Sequence, residues 1–217
     1  MIDGYVEISN LKNLKDPSEA EKAMLKRKNI WSLELTWSSS QTEEEIVSDM
    51  EQDQGVLNAL EPPSQINSLK ICGYRGPCLP PWMMKQNDSS CCGGKMIKQT
   101  SLCQFLSLTN MTLEGFPNLK YIRGLLVFGS LKSLNLLRMA YLEELWTTTS
   151  GFEIQEEEFG AQCCFPVLSE LCIKGCPKLN VKPYFPPSLG TLSFEESNEQ
   201  LLSSSSFSHR RLPPSAD

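Results

Sequence analysis

One histidine, His209, is all the chain carries, and it sits close to the C-terminus. That takes the usual base for nucleophilic or general acid–base catalysis out of any rigid setting. Positive charge is not in excess: 20 Lys and Arg face 26 Asp and Glu, a net charge of −6 over 217 residues. A general nucleic-acid binder needs a basic face, so no nucleic-acid partner is expected. Long apolar runs are missing. The longest, at Leu125–Phe128, falls far short of the roughly 20 residues a membrane span requires. The opening segment MIDGYVEISN has neither a basic nor an apolar leader region. These absences predict a cytoplasmic chain with no membrane partner. Its nine cysteines are then expected as reduced thiols. The sequons at Asn87 and Asn110 are expected to stay unglycosylated.

Site chemistry is also thin. Cys163, Cys164, Cys172 and Cys176 cluster, and Cys91-Cys92 is a second pair, yet no Cys-x-x-Cys spacing occurs. Zinc is therefore not expected. The stretch CCGGKM imitates a phosphate loop only in its Gly-Lys. Ser89 stands where the first glycine is needed, and Met96 where a hydroxyl would meet magnesium. The glutamate runs at 43–45 and 156–158 read as solvated faces. No catalytic residue, metal or cofactor is assigned, and the chain is read as a non-enzyme.

What the chain has is leucine, 30 of them. In SLKSLNLLRMAYLEELW, counting Leu131 as position 1, apolar side chains fall at 1, 4, 6, 9 (Met139), 12 and 15. This is leucine-rich-repeat spacing. Positions 4 and 6 share one face of a short strand. Position 9 is expected to be a small polar or a sulfur-bearing side chain, where the backbone turns inward. One such unit cannot bury its face alone; stacked neighbours can. Further units are read at Val6/Ile8, Leu33/Leu35, Leu69/Ile71, Leu106/Leu108, Leu171/Ile173 and Leu192/Phe194. Intervals between the position-4 residues run 27, 36, 37, 28, 37 and 21. The expected fold is α/β: a leucine-rich-repeat solenoid, or horseshoe, with short parallel strands on the concave face and irregular helices and loops on the convex face.

The expected organisation is a single domain over 1–202, with insertions near 38–60, 84–100 and 147–162, then a disordered Ser-rich tail over 203–217. Asp16, Pro17 and Glu19 form a helix-start signal, with Ala20, Ala23 and Met24 facing the core. A second short helix is expected at Val56–Leu60, ended by Pro62 and Pro63. Met1 leads almost directly into a repeat strand, so the chain reads as a piece of something longer.

Strand residues flanking positions 4 and 6 point away from the core. They are Glu34, Thr36, Lys70, Cys72, Ser107, Thr109, Asn135, Leu137, Cys172, Lys174, Ser193 and Glu195. Their mixed character suits a protein partner better than a polyanion, and they form the expected protein-binding face.

The segment VEISNLKNLKDPSEAEKAMLKRKNIWSLELTWS carries Asn10-Leu11, Asp16, Ala20, Ala23, Leu25, Leu33, Leu35 and Trp37. The next block carries Val56, Leu57, Leu60, Pro62, Leu69, Ile71, Gly73, Tyr74, Gly76, Pro80 and Trp82, and FPVLSELCIKGCPKL follows later. Together these resemble the leucine-rich-repeat region of plant nucleotide-binding leucine-rich-repeat disease resistance proteins of the coiled-coil class. The resemblance runs to about Leu202 and is most specific over the first 83 residues. It implies a sensor of pathogen effectors or guarded host proteins, or a partner that restrains the nucleotide-binding domain of a resistance protein. That domain is absent from this sequence, so ADP or ATP binding is not expected. A free-standing adaptor or decoy, or a non-functional receptor fragment, is the alternative.

Overall fold

The computed structural model describes residues 3–37, 50–84, 105–149, 162–198 and 200–203. The backbone is α/β, with two parallel sheets and short helices. The larger sheet has seven strands hydrogen-bonded in chain order: β1 (Asp3–Ile8), β2 (Asn29–Thr36), β3 (Ser68–Cys72), β4 (Asn110–Glu114), β6 (Ser133–Leu137), β8 (Glu170–Lys174) and β10 (Thr191–Glu195). The smaller has three: β5 (Tyr121–Ile122), β7 (Glu144–Trp146) and β9 (Asn180–Lys182).

Register explains why these residues form strands. Leu33, Leu69, Met111, Leu134, Leu171 and Leu192 stand opposite one another strand by strand, as do Leu35, Ile71, Leu113, Leu136, Ile173 and Phe194. A slip of one residue would turn every such side chain out to water. On β2, β3, β4, β6 and β8 these pairs are at most 3% exposed. On the outer strands, Val6, Ile8, Leu192 and Phe194 are only partly buried, as expected with a neighbour on one side alone. Met111, Leu113, Leu134 and Leu136 face Ile122 and Leu145 of the smaller sheet across one apolar gap. Behind β4 and β6 the core therefore lies between the two sheets, and the same apolar cluster continues to Leu25, Val56, Leu57 and Trp82.

The fourth strand differs from its sequence-based expectation. It centres on Met111 and Leu113, not on Leu106 and Leu108. Leu106 is 69% exposed, and Leu108 is buried as position 1 of the unit. In this frame Phe116, Leu119 and Ile122 fall at positions 9, 12 and 15, matching Met139, Leu142 and Leu145 one unit later; all six are buried. Two frames fit the local leucine spacing, and only one also buries those three downstream side chains.

Position 9 was expected to be small or sulfur-bearing. Met139 and Cys176 fit; Tyr74 and Phe116 do not. At the N-terminal end of the sheet these aromatics extend a row from Trp37, with ring centroids 5.3 Å apart at each step and edge-to-face geometry. A second row runs Trp82, Phe105, Phe128, Phe165 with centroids 5.9 to 6.0 Å apart. Its three phenylalanines each precede position 1 by three residues.

Helix α1 (Pro17–Glu21) starts as expected: the Asp16 carboxylate accepts from Ser18 N at 2.8 Å, and Pro17 takes the first helical position. It is shorter than expected. Met24 leaves the helix with φ 45° and is 52% exposed, and Leu25 enters the core in its place. Helix α2 (Met50–Ala59) buries Val56 and Leu57, followed by buried Leu60. The expected insertions lie mostly outside the described residues, as does the tail. The ends of the 147–162 segment are pinned: Thr148 bridges Cys163, and Thr147 Oγ1 donates to Tyr184 O at 2.7 Å. Among the described residues no helix is long and apolar enough to cross a membrane.

Candidate functional site

Alternation along the seven strands puts three outward rows on the larger sheet. The strand register lines up Tyr5, Ser32, Ser68, Asn110, Ser133, Glu170 and Thr191 in the first. Glu7, Glu34, Lys70, Thr112, Asn135, Cys172 and Ser193 form the second. Thr36, Cys72, Glu114, Leu137, Lys174 and Glu195 form the third. Ten of the twelve residues singled out from the sequence stand in these rows. Ser107 and Thr109 do not, because the fourth strand begins at Asn110. Thr109 instead extends the ladder at the strand entrance: its Oγ1 donates to Asn67 O at 3.1 Å, and its carbonyl accepts from Lys132 N at 2.8 Å. Thr112 and Glu114 take the outward places.

Across the rows, charges pair between neighbouring strands. Lys70 Nζ lies 2.8 Å from Glu34 Oε1. The Lys70 hydrogen bond holds the Glu34 carboxyl below its ordinary range, and Glu34 raises Lys70 in return. Tyr5 OH lies 3.0 Å from Glu34 Oε2 and 3.1 Å from Glu7 Oε2. Desolvation and those two carboxylates push the phenol up to about 12, so it stays a neutral donor. Glu114 pairs with Arg138 and accepts from Cys72 Sγ at 3.4 Å. Burial pushes the Cys72 thiol up to about 12, which keeps it protonated and unreactive. Asn135 Nδ2 donates to Thr112 Oγ1 at 3.1 Å, and Lys174 meets Glu195 at 2.9 Å. The face is a mixed polar surface with one half-buried apolar residue, Leu137, in its third row.

The smaller sheet carries a denser ionic cluster. Glu144 is held by Arg123, by Lys182 Nζ at 2.6 Å and by Trp146 Nε1 at 2.9 Å. Burial alone would raise its carboxyl; these donors outweigh it and bring it down to about 2. Arg123 lies 4.1 Å over the Tyr121 ring, and Tyr121 OH donates to Glu143 at 3.0 Å.

Of the clustered cysteines, Cys164 and Cys176 pack as small apolar groups, while Cys163 and Cys172 are half-buried, Cys172 in the second outward row. Cys164 and Cys176 are buried, with Sγ directed at Leu125 O and Leu136 O, and burial raises the Cys176 thiol. Among the described residues no three His, Cys, Asp or Glu side chains are placed to hold a metal.

The frame of the fourth strand had a signal. Phe-x-x-Leu-x-x-apolar-x-apolar recurs at Phe105, Phe128 and Phe165, and it sets Met111 and Leu113 inside. Tyr5 and Glu7 on the outer strand and Trp31 at the β1–β2 register shift carried no such marker, since their exposure is a property of the sheet.

Residues 1–142 match the family described as R13L1/DRL21 LRRs. The chain is 30% identical over 188 residues to disease resistance protein RGA2 of Solanum bulbocastanum, an alignment covering 82% of this chain and 19% of that relative. It thus spans about a fifth of that relative's length. No solved structure matches it. The family match takes in the strands from β1 to β6, and the chain belongs to the R13L1/DRL21 leucine-rich-repeat family, as found in the leucine-rich-repeat region of plant nucleotide-binding leucine-rich-repeat disease resistance proteins.

Proposed function

We propose that this chain is the protein-recognition module of a plant intracellular immune receptor. Its larger sheet lines the concave side of a leucine-rich-repeat solenoid, and its helices and smaller sheet lie on the convex side. In defence against pathogens, the concave rows bind an effector or a guarded host protein, or hold a nucleotide-binding domain in its resting state. The working compartment is the cytoplasm. Family membership supports interaction rather than catalysis.

One observation carries this reading. Seven parallel strands, in unbroken register from β2 to β10, present rows of outward side chains whose chemistry varies from strand to strand, while the inward pairs are all apolar. Structure and recognition are thereby separated onto opposite faces of the same strands. The test is a paired substitution in the whole chain. Lys174→Glu sets a carboxylate beside Glu195, and Asn135→Arg adds bulk and charge mid-face. Both should abolish capture of a partner, such as a separately purified nucleotide-binding domain or an effector, while the thermal melt stays unchanged. Capture that survives both changes would contradict the reading.

A further inference from the structure

The β1–β2 end of the outward face differs from its middle. On β4 and β6 the first two outward rows hold Asn110, Thr112, Ser133 and Asn135, all uncharged and without an aromatic ring. At the β1–β2 end two large aromatic side chains are exposed: Tyr5 at 51% and Trp31 at 56%.

The exposure of Trp31 follows from the local backbone. Gly4 pairs with Ile30 and Tyr5 with Ser32, so Trp31 is the extra residue of a β-bulge. Bulges re-aim a side chain out of the regular alternation. The indole then lies over residue 4, where a Cβ would stand 3.2 Å from Trp31 Nε1. Gly4 also has φ +106°, which a side chain rarely tolerates. Bulge and glycine together set the indole in place.

Beside it, Tyr5 is oriented by hydrogen bonds to two carboxylates, Glu7 and Glu34. Lys70 balances Glu34. Glu7 has no cation among the described residues; the Tyr5 hydroxyl is its hydrogen-bond partner. Among the described residues Glu7 is thus a carboxylate without a cation, hydrogen-bonded to Tyr5, whose strand partner Ser32 directly follows Trp31.

We propose that this end of the face is the anchor of the recognition surface and takes an arginine or lysine side chain from a basic segment of the protein partner. It rests on the protein-recognition reading above and adds the chemistry of the partner. A cation gains from aromatic faces and from the Glu7 carboxylate at once, and exposed Trp and Tyr are the side chains that most often dominate interface energetics.

The test is selection of random-sequence peptides displayed on phage against the whole chain, with titration of the selected peptides. Enriched peptides should contain Arg or Lys. Trp31→Ala, which changes no charge, and Glu7→Gln should each weaken them about tenfold or more. Glu170→Gln removes the same charge elsewhere on the face and should leave them within about twofold. Retained thermal melts keep these variants interpretable. Peptides without basic residues, or equal weakening by Glu170→Gln, overturn the anchor. If binding falls instead with Asn135→Arg and Lys174→Glu, the face recognises protein and only the anchor assignment fails. If the selection yields no binder, or no outward substitution matters, both readings fall.

Discussion

Arg75 grips Asp53 through two nitrogens, Nε at 2.7 Å from one carboxylate oxygen and Nη2 at 3.0 Å from the other. Their side chains are 9% and 1% exposed. The pair ties α2 to the turn after β3, and Asn118 Nδ2 donates to Arg75 O at 2.6 Å, drawing in the next unit. Breaking a buried pair strands one charge without water. Asp53→Ala should therefore destabilise the fold by about 3–5 kcal/mol. Replacing both partners, Asp53→Leu with Arg75→Met, should recover most of that loss, because no charge is left buried. Chemical denaturation of the three variants measures it.

The frame of the fourth strand gives a sharp contrast. Met111 is 3% exposed and Leu106 is 69% exposed. Met111→Ala should cost about 2–5 kcal/mol, and Leu106→Ala should stay within about 0.5 kcal/mol. The reverse order would place Leu106 inside. Phe128→Ala, which removes a stacked ring between Phe105 and Phe165, should cost about 3–5 kcal/mol.

Why most strands were legible from sequence and this one was not follows from the same residues. Leu33/Leu35, Leu69/Ile71, Leu134/Leu136 and Leu171/Ile173 each sit in a single sensible frame, and burial of both side chains fixes the outward neighbours by alternation. Around Leu106, Leu108, Met111 and Leu113 the apolar spacing admits two frames. The choice is made by Phe116, Leu119 and Ile122, which lie downstream of the strand and are all buried in the frame of Met111 and Leu113. The ion pair of Asp53 with Arg75 spans 22 residues and left no local pattern. The Trp31 bulge is likewise invisible in one strand, since it is a mismatch between two.

Position 8 of the units adopts left-handed backbone at Gly73, Gly115, Arg138, Gly175 and Glu196. There the N–H of Gly175 reaches Glu195 O at 3.0 Å and carries the ladder one step beyond the strand. A Cβ at Gly175 would stand 3.3 Å from Arg138 Cα, whereas at Gly115 the nearest atom is 3.8 Å away. Gly115→Ala should cost about 1–2 kcal/mol from backbone strain alone. Gly175→Ala should cost more. Equal losses in thermal denaturation would mean the close approach is relieved freely.

Acid should act on the smaller sheet through Glu144. Its carboxyl is lowered from 4.5 to about 2. The stability it contributes is fully present above the ordinary value and is lost as pH falls through that window. Glu144→Gln should lower stability at neutral pH and flatten its decline between pH 4.5 and about 2. A parallel decline in both proteins, followed by circular dichroism, would deny Glu144 that role.

The account stands on the outward rows meeting another protein. The most direct measurement is photo-cross-linking in pathogen-challenged plant tissue, with p-benzoylphenylalanine placed at Asn135 in mid-face or, as the off-face reference, at exposed Glu21 of α1. The account predicts a discrete protein adduct from position 135 and none from position 21. Adducts of equal strength from both positions, or from position 21 alone, would contradict it.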